Sequence, residues 1–351
     1  MPDLSDELRE RVRGAFGEGA PIGLVGGGTK AFLGRLTRWP ALEVGAHEGV
    51  VSYDPSELVV TARSGTRLDA LEAVLDAEGQ MLAFEPPRFG EAATLGGTVA
   101  AGLSGPRRPY AGAVRDFVLG VRMLNGRGED LAFGGQVMKN VAGYDLSRLM
   151  TGSMGTLGVL LEISLKVLPC PGATRTLVLE MEAAQAIARM NALAGEPLPV
   201  SGAFHHRGRL HLRLSGTEGG VEAATRRIGG QPIDGEGPWE DLREHRLDFF
   251  QGTQPLWRLS VPSALPSLEL PGEALVDWGG ALRWLRSDAD VLRVREAARA
   301  VGGHATLFRH DEGMGDVFHP LEPGVEALHR RLKAAFDPAG ILNRGRMYAS
   351  F

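Results

Sequence analysis

Between Thr94 and Leu168 the chain sets glycine where turns belong and surrounds it with small hydroxyl residues. The run opens with Thr94-Leu95-Gly96-Gly97-Thr98 and passes through Ser104-Gly105-Pro106 and Lys139-Asn140-Val141-Ala142-Gly143-Tyr144-Asp145-Leu146. It closes with Gly152-Ser153-Met154-Gly155-Thr156-Leu157-Gly158 ahead of an apolar strand, Val159 to Leu168. Glycine reaches backbone angles that other residues avoid, and a bare main chain lets amide N–H groups approach a ligand. A folding loop rarely needs so many small residues in succession, whereas a backbone cradle for a large, flat, anionic ligand does.

Composition narrows the alternatives. Glycine supplies 49 of 351 residues, yet 43% of the chain is apolar and no short repeat governs the glycines, so the sequence is not of low complexity. The length suits two domains. A net charge of −5 with no basic run argues against a nucleic-acid partner. No apolar run reaches the roughly 18–20 residues that span a bilayer, and Met1-Pro2-Asp3-Leu4 does not read as a signal peptide, so a cytoplasmic protein is expected. The single cysteine, Cys170, allows no internal disulfide and no iron–sulfur ligand set. Redox chemistry would need a separate bound cofactor.

In chain order, Asp6 to Phe16 reads as an amphipathic helix with Leu8, Val12 and Phe16 on one face. The strand Pro21 to Val25 then runs into Gly26-Gly27-Gly28-Thr29-Lys30, with a short helix predicted over Ala31 to Leu36. Strand, glycine turn and helix start together make a phosphate-binding arrangement, because unpaired N–H groups and the helix dipole favour an anion. A phosphate loop ending in Gly-Lys-Ser/Thr is not satisfied by Thr29-Lys30-Ala31. Gly26-X-Gly28-X-X-Ala31 fits a relaxed Rossmann fingerprint, but Pro40 and the strand Leu42-Glu43-Val44 arrive too soon for a full crossover helix. A pyrophosphate loop of another nucleotide fold fits best, and a tight turn without a ligand is the remaining alternative. Further on, Asn125-Gly126-Arg127-Gly128 between two strands is a hairpin signal.

Val25-Gly26-Gly27-Gly28-Thr29 resembles the pyrophosphate loop of the vanillyl-alcohol-oxidase (PCMH-type) FAD-binding family. The run from Ala93 through Gly97, Ser104-Gly105-Pro106, Arg115 to Gly120 and Lys139 to Val159 is similar to that family's second FAD subdomain. Within the family the chain most resembles the E-subunit group of bacterial glycolate oxidases. Gly303-His304-Ala305-Thr306-Leu307-Phe308-Arg309 and Phe336-Asp337-Pro338-Ala339-Gly340-Ile341-Leu342-Asn343 carry that likeness near the C-terminus.

The resemblance implies an α+β protein. A PCMH-type FAD-binding domain of two α/β subdomains would occupy residues 1–170, and an antiparallel-sheet cap residues 171–318. A C-terminal segment, residues 319–351, would return to the flavin. It implies that Gly26, Gly27, Gly28, Thr29 and Lys30 hold the FAD pyrophosphate, with Pro86, Thr94, Gly96, Gly97 and Thr98 along the pyrophosphate and isoalloxazine edge. Ser104, Gly105, Gly112 and Asp116 would follow the ribityl and adenosine side. Gly152, Gly155, Gly158 and Val159 would pack at the adenine end, with Asn343 returning from the C-terminus. Peptide amides from two separate turns would converge on the diphosphate.

Departures from the family pattern matter as well. Thr29 stands where covalently flavinylated relatives carry histidine, so the FAD is expected to be non-covalent, and Cys170 is expected to be an inert thiol. Met154 stands where many relatives carry glutamate. The histidine-rich Gly-Glu-His-Gly motif and the Gly-His-X-Gly-Asp-Gly strand of the catalytic D subunits are not present, apart from the fragment Gly303-His304.

In the second half the predicted order is βαββα, then strands, a helix and a strand, which suggests an antiparallel sheet backed by helices. A helix is expected over Trp239–Phe249. Adjacent His205 and His206 point to opposite faces of a strand and cannot chelate together, so no metal site is expected. His304 and Arg309 are the candidate catalytic residues, as cations that would stabilise an anionic reduced flavin or bind a carboxylate.

The resemblance implies an FAD-binding subunit of a glycolate oxidase complex, acting on a small 2-hydroxy acid. Its partners would be a catalytic flavoprotein and an iron–sulfur subunit, with any membrane association made through the complex. A scaffold subunit with a vestigial flavin pocket and a stand-alone FAD-dependent D-2-hydroxy-acid dehydrogenase are the alternative readings.

Overall fold

The structure, a computed structural model, describes residues 3–135, 145–233, 235–310 and 316–351. The sequence run Lys139-Asn140-Val141-Ala142-Gly143-Tyr144 therefore lies outside the described residues. The fold is mixed α and β, and the chain divides into two compact units. One comprises residues 1–104, 112–169 and 320–351; the other comprises residues 105–111 and 170–319.

The first unit opens with helix α1 (Ser5–Glu18), whose Leu8, Val12 and Ala15 are buried. The sequence pattern put Phe16 on that face, but Phe16 is 37% exposed. Positions four, then three, apart follow the 3.6-residue turn more closely than strict intervals of four. Strands β1 (Gly23–Val25) and β2 (Ala41–Glu43) pair in parallel. Strands β3 (Val50–Asp54) and β4 (Val59–Arg63) lead to helix α2 (Leu68–Asp76), the short strand β5 (Gln80–Met81) and helix α3 (Leu95–Ala101).

After these come β6 (Val118–Leu124), β7 (Asp130–Gly134), β8 (Val159–Lys166) and β9 (Leu168–Pro169). A five-stranded antiparallel sheet forms in the order β3-β4-β8-β6-β7. The predicted hairpin turn joins β6 to β7, with Asn125 N–H donating to Glu129 O at 3.1 Å.

The C-terminal segment is built into this unit. Helix Pro323–Phe336 buries Lys333, whose Nζ donates to Thr156 O, Leu342 O and Asp337 Oδ2, each at 2.7 Å. Asp337 in turn accepts from the N–H groups of Ile341 at 3.0 Å and Leu342 at 2.8 Å. Burial pulls the Lys333 ammonium below its ordinary value, and the neighbouring Asp337 carboxylate opposes that fall. Ile341 and Leu342 join Leu8, Val12, Leu42, Leu124, Val159 and Leu161 in one core cluster.

The second unit is organised on one eight-stranded antiparallel sheet. Its strands are β10 (Ala173–Glu180), β11 (Val200–His206), β12 (Arg209–Gly216), β13 (Gln231–Ile233), β14 (Leu256–Ser260), β15 (Glu273–Asp277), β16 (Leu282–Arg286) and β17 (His304–Arg309), in the order β13-β10-β12-β11-β15-β16-β14-β17. Helices Ala183–Ala194 and Glu218–Ile228 cover one face over Leu210, Leu212 and Leu214. Helix Val291–Ala300 covers Trp257, Leu259 and Leu307.

The helix predicted over Trp239–Phe249 is shorter than expected. It spans Gly237–Arg243, and a 3-10 turn at Asp248–Phe250 follows His245, whose φ is +57°. Contacts made by the His245 ring account for the break. It stacks on Phe250 at 3.9 Å and meets Trp284 edge-on at 4.7 Å.

Several histidines of this unit are held neutral by burial. The His211 ring stacks on Phe204 at 4.3 Å, its Nδ1 is buried with no hydrogen-bond partner among the described residues, and burial lowers its pKa to about 4. Burial likewise lowers His205 and drives His245 well below the ordinary value. The unfolded chain therefore binds more protons than the folded one below pH 6.5, so stability is full above that pH and falls as pH drops toward about 4. A group that titrates fully only when unfolded costs roughly 1.4 kcal/mol per pH unit in that window. Urea unfolding at pH 7, 6 and 5 should show a falling midpoint. Phe at position 211 (His211→Phe), which keeps the stack without the proton site, should reduce the slope; an unchanged slope would remove His211 from this account.

Candidate cofactor site

A cleft of ≈ 320 Å³ opens in the first unit, where β1, the loop after it, the start of α3, the turn before β8 and the C-terminal segment meet. Its walls are largely glycine and aliphatic side chains. Lys30 and Arg346 are the charged residues lining it, and no Asp or Glu is among the described lining residues. An anionic ligand thus meets positive charge and no carboxylate.

The loop after β1 has its shape imposed by close packing. A Cβ on Gly27 would collide with the carbonyl of Ala92, and one on Gly26 would lie 2.6 Å from Thr94 Oγ1. Gly28 takes φ +69°, and a Cβ there would meet nothing within 4 Å. The N–H groups of Gly26, Gly27, Gly28 and Thr29 donate to no acceptor among the described residues. They are a set of donors at the edge of a positively charged cleft. Such backbone concavities bind anions.

No helix follows this loop. Residues 31–34 form a turn and a bend and residues 35–36 run on without regular structure, because the C-terminal segment takes the place of an intrahelical partner: Arg35 N–H donates to Arg346 O at 2.9 Å. Gly34 sits at φ +83° against that same carbonyl and Met154. The helix dipole predicted behind the first glycine loop is therefore not there.

The second glycine turn differs from the first in its amides. Thr94 caps α3 by accepting from Gly97 N–H at 3.2 Å. Leu95 N–H donates to Thr66 O at 2.8 Å and Gly96 N–H to Ser64 O at 2.7 Å. These donors are already engaged, so the expected convergence of free amides from two turns is replaced by one turn with available donors and one smooth wall. Gly96 is required by contact, since a Cβ there would lie 2.7 Å from Ser64 Cβ. Gly97 is different: its only close neighbour would be Thr94 Oγ1 at 3.1 Å, and it lines the cleft.

The turn before β8 brings Met154, Gly155, Gly158 and Val159 to the cleft. Gly158 packs on Met123 and Leu124 O, and a Cβ on Gly155 would meet Asn343 Nδ2 at 2.8 Å. Asn343 holds this wall to β1: its Oδ1 accepts from Leu24 N–H at 2.8 Å and its Nδ2 donates to Met154 O at 2.6 Å. Arg346 donates to Arg35 O at 2.9 Å and Ala31 O at 2.7 Å, and burial lowers its pKa. Lys30 Nζ donates to Arg88 O at 3.3 Å.

Of the residues predicted from sequence, the cleft thus gathers Gly26 to Lys30, then Thr94, Gly96 and Gly97, then Gly155, Gly158, Val159 and Asn343. Others lie off its wall. Pro86 and Thr98 are buried, and Thr98 Oγ1 has no hydrogen-bond partner among the described residues. Ser104 Oγ accepts from Val114 N–H at 3.0 Å, and Asp116 accepts from Ala113 N–H at 2.9 Å, as local caps near the Gly112 turn. Gly152, at φ +79°, donates to Val99 O at 2.9 Å. Gly105 belongs to the second unit, where its carbonyl accepts from Trp278 Nε1 at 3.0 Å.

His304 and Arg309 also belong to the second unit, at the two ends of β17, the last strand of its sheet. Burial lowers the pKa of both, with the Arg258 charge adding to the effect at His304. Sequence reasoning missed Ser64 and Trp39 at the cleft, whereas Arg346 belongs to the run Asn343-Arg344-Gly345-Arg346 of the C-terminal segment expected to return to the cofactor.

The two kinds of glycine predict opposite phenotypes. Gly97→Val places a side chain in the cleft without a backbone clash. It should lower FAD content at least tenfold while shifting the thermal midpoint by only a few degrees. Gly27→Ala, driven against the Ala92 carbonyl, should lower the midpoint as well as FAD content. Equal flavin content in Gly97→Val and parent would refute the reading of this cleft.

The family described as "FAD binding domain" matches residues 1–134. The chain is 50% identical over 347 residues to glycolate oxidase subunit GlcE of Escherichia coli (strain K12), covering 99% of this chain and 98% of that one. It is 24% identical over 369 residues to glycolate oxidase subunit GlcD of Bacillus subtilis (strain 168), covering 86% of this chain and 77% of the relative. The crystal structure of p-cresol methylhydroxylase with substrate bound superposes with a TM-score of 0.71 at 15% identity, over 100% of this chain and 88% of the other. At that identity the superposition speaks for the fold alone, which is that of the PCMH-type flavoproteins. Identity at half of all positions along nearly the full length of both chains settles the family: the chain belongs with the glycolate oxidase subunit GlcE, among the FAD-binding proteins of the PCMH type.

Proposed function

We propose that the chain is the FAD-binding subunit of a glycolate oxidase and takes part in oxidising a 2-hydroxy acid, glycolate to glyoxylate. The 50% identity to GlcE across 98% of that subunit is the observation that carries the reading. The cleft supports it independently, because its residues fit a flavin dinucleotide. Free amides at Gly26 to Thr29 and the charges of Lys30 and Arg346 suit a diphosphate, while the glycine and aliphatic walls suit flat rings.

When bound, FAD supplies two-electron chemistry that no side chain of this protein has. The chain's own residues bind and orient. Gly26, Gly27 and Gly28 would present donors to the pyrophosphate, Gly97 would leave room beside it, and Asn343 would fix the wall at Gly155. Thr29 has no ring nitrogen with which to form a flavin tether, and Cys170 is exposed in the second unit. Both favour a dissociable cofactor.

The partners we propose are a catalytic flavoprotein and an iron–sulfur subunit. One cysteine cannot ligate a cluster, so onward electron transfer falls to another chain. Among the described residues no helix is long and apolar enough to cross a membrane, and any membrane association is proposed to run through the complex. His304 and Arg309 remain the proposed catalytic residues, Arg309 as the cation for a carboxylate or a developing negative charge and His304, which burial favours in its neutral form, as a hydrogen-bond donor.

Two measurements test this. Protein purified alone should be yellow, releasing FAD on acid precipitation, and its flavin should bleach with glycolate only when the partner subunits are added. Bleaching by glycolate or D-lactate in the lone chain would make it an independent dehydrogenase, and a colourless protein that does not take up FAD would make it a scaffold. In the assembled complex, His304→Ala and Arg309→Ala should each lower turnover at least tenfold with unchanged flavin content; full activity in both would remove them from the chemistry.

A further inference from the structure

Three buried polar side chains line the cleft of the first unit: Ser64, Thr94 and Asn343. Two of them are occupied by the protein itself. Thr94 Oγ1 caps α3 through Gly97 N–H, and both ends of the Asn343 amide are bonded, to Leu24 N–H and Met154 O. Ser64 is 3% exposed, and its Oγ has no hydrogen-bond partner among the described residues. Its main chain is fully engaged, with N–H donating to Leu161 O at 2.8 Å and C=O accepting from Gly96 N–H at 2.7 Å. Only the hydroxyl is left over.

Packing does not explain a serine here. The contact that forces residue 96 to be glycine is made with the Ser64 carbon atoms and carbonyl, and an alanine would make it equally well. A buried hydroxyl with no partner loses the hydrogen bond it makes to water in the unfolded chain, and such groups are rare.

We propose that the Ser64 hydroxyl is a cofactor-binding group, completed by a polar atom of the dinucleotide held in the cleft. The inference rests on the FAD-binding reading above. Ser64 follows β4 directly and is pinned at both its N–H and its carbonyl, so the position of its Cβ is fixed. Rotation about the single Cα–Cβ bond carries Oγ among three staggered positions without moving main chain. A group that is unsatisfied in the empty protein and satisfied in the loaded one transfers its whole hydrogen bond into affinity, and Ser64 is placed for that role.

Ser64→Ala in the full chain tests it, with FAD titrated into apo-protein by fluorescence and thermal unfolding followed with and without FAD. The expected result is a Kd for FAD raised about five- to tenfold. The apo-protein should melt at the parent temperature or slightly above it, because an unsatisfied buried hydroxyl has been removed. The rise in melting temperature on saturation with FAD should shrink accordingly. A Kd within twofold of the parent overturns the proposal. A lowered apo midpoint overturns it too, since the hydroxyl would then be structural. Failure of the parent protein to bind FAD would overturn the cofactor reading itself, and is distinguished because it is seen before any substitution is made.

Discussion

Main chain packed directly against main chain is the constraint on which the cleft depends. Gly27 lies on the carbonyl of Ala92, Gly65 on the carbonyls of Val44, Gly45 and His47, and Gly102 on the main chain of Gly152. No side chain fits between these segments, so their spacing is set by peptide planes rather than by rotamers. That gives the wall a rigidity that side-chain packing seldom provides, and it leaves the N–H groups of the first loop turned away from internal partners. Donors fixed in advance lose little freedom when an anion arrives, which is the advantage of preorganisation. The arrangement therefore gains its binding surface from what the sequence omits.

The second contributor to that wall is the end of the chain. Lys333 reaches three oxygens, one from the turn before β8 and two from the C-terminal segment itself, and Asp337 holds the turn that leads from the last helix to Ile341 and Leu342. A charged pair at this depth is costly to bury, and it is tolerated when every donor and acceptor is matched. Here the ammonium has three acceptors and the carboxylate receives two amides as well as the ammonium. The match places Asn343 at φ +42° between Leu24 and Met154, a backbone region that asparagine tolerates better than most residues. Asn343 therefore bridges the strand before the glycine loop and the turn that precedes β8. The last thirty residues act on the cleft through these fixed bonds and not through proximity alone.

Much of the architecture was legible because it is written in local signals. The glycine-rich turns, the Asn125-Gly126 hairpin, and the βαββα order of the second half each follow from turn chemistry or hydrophobic period. What was not legible depends on contacts between distant residues. Residues 31–36 have the composition of a helix, yet Arg346 and Met154 claim that space. The amides of Leu95, Gly96 and Gly97 look as available in sequence as those of Gly26 to Gly28, and only the positions of Thr66, Ser64 and Thr94 show that they are taken. Ser104, Asp116 and Gly112 satisfy a glycine-and-hydroxyl pattern while serving as caps and turns of the main chain. Hydroxyl residues next to glycine bind backbone as readily as ligand, and sequence alone does not separate the two.

The chemistry that titrates near neutral pH is concentrated away from this cleft. Its charged lining residues are Lys30 and Arg346, and burial lowers the pKa of Arg346. In the second unit burial instead holds His205, His211 and His245 below the ordinary histidine value, two of them in aromatic stacks. Acid sensitivity thus belongs to residues other than those that line the cleft. The cleft of the first unit combines basic side chains with unengaged peptide N–H groups, a setting that favours anions. Imidazole, the side chain best suited to sensing pH, is used in the second unit as a flat apolar ring, which works only while it remains uncharged.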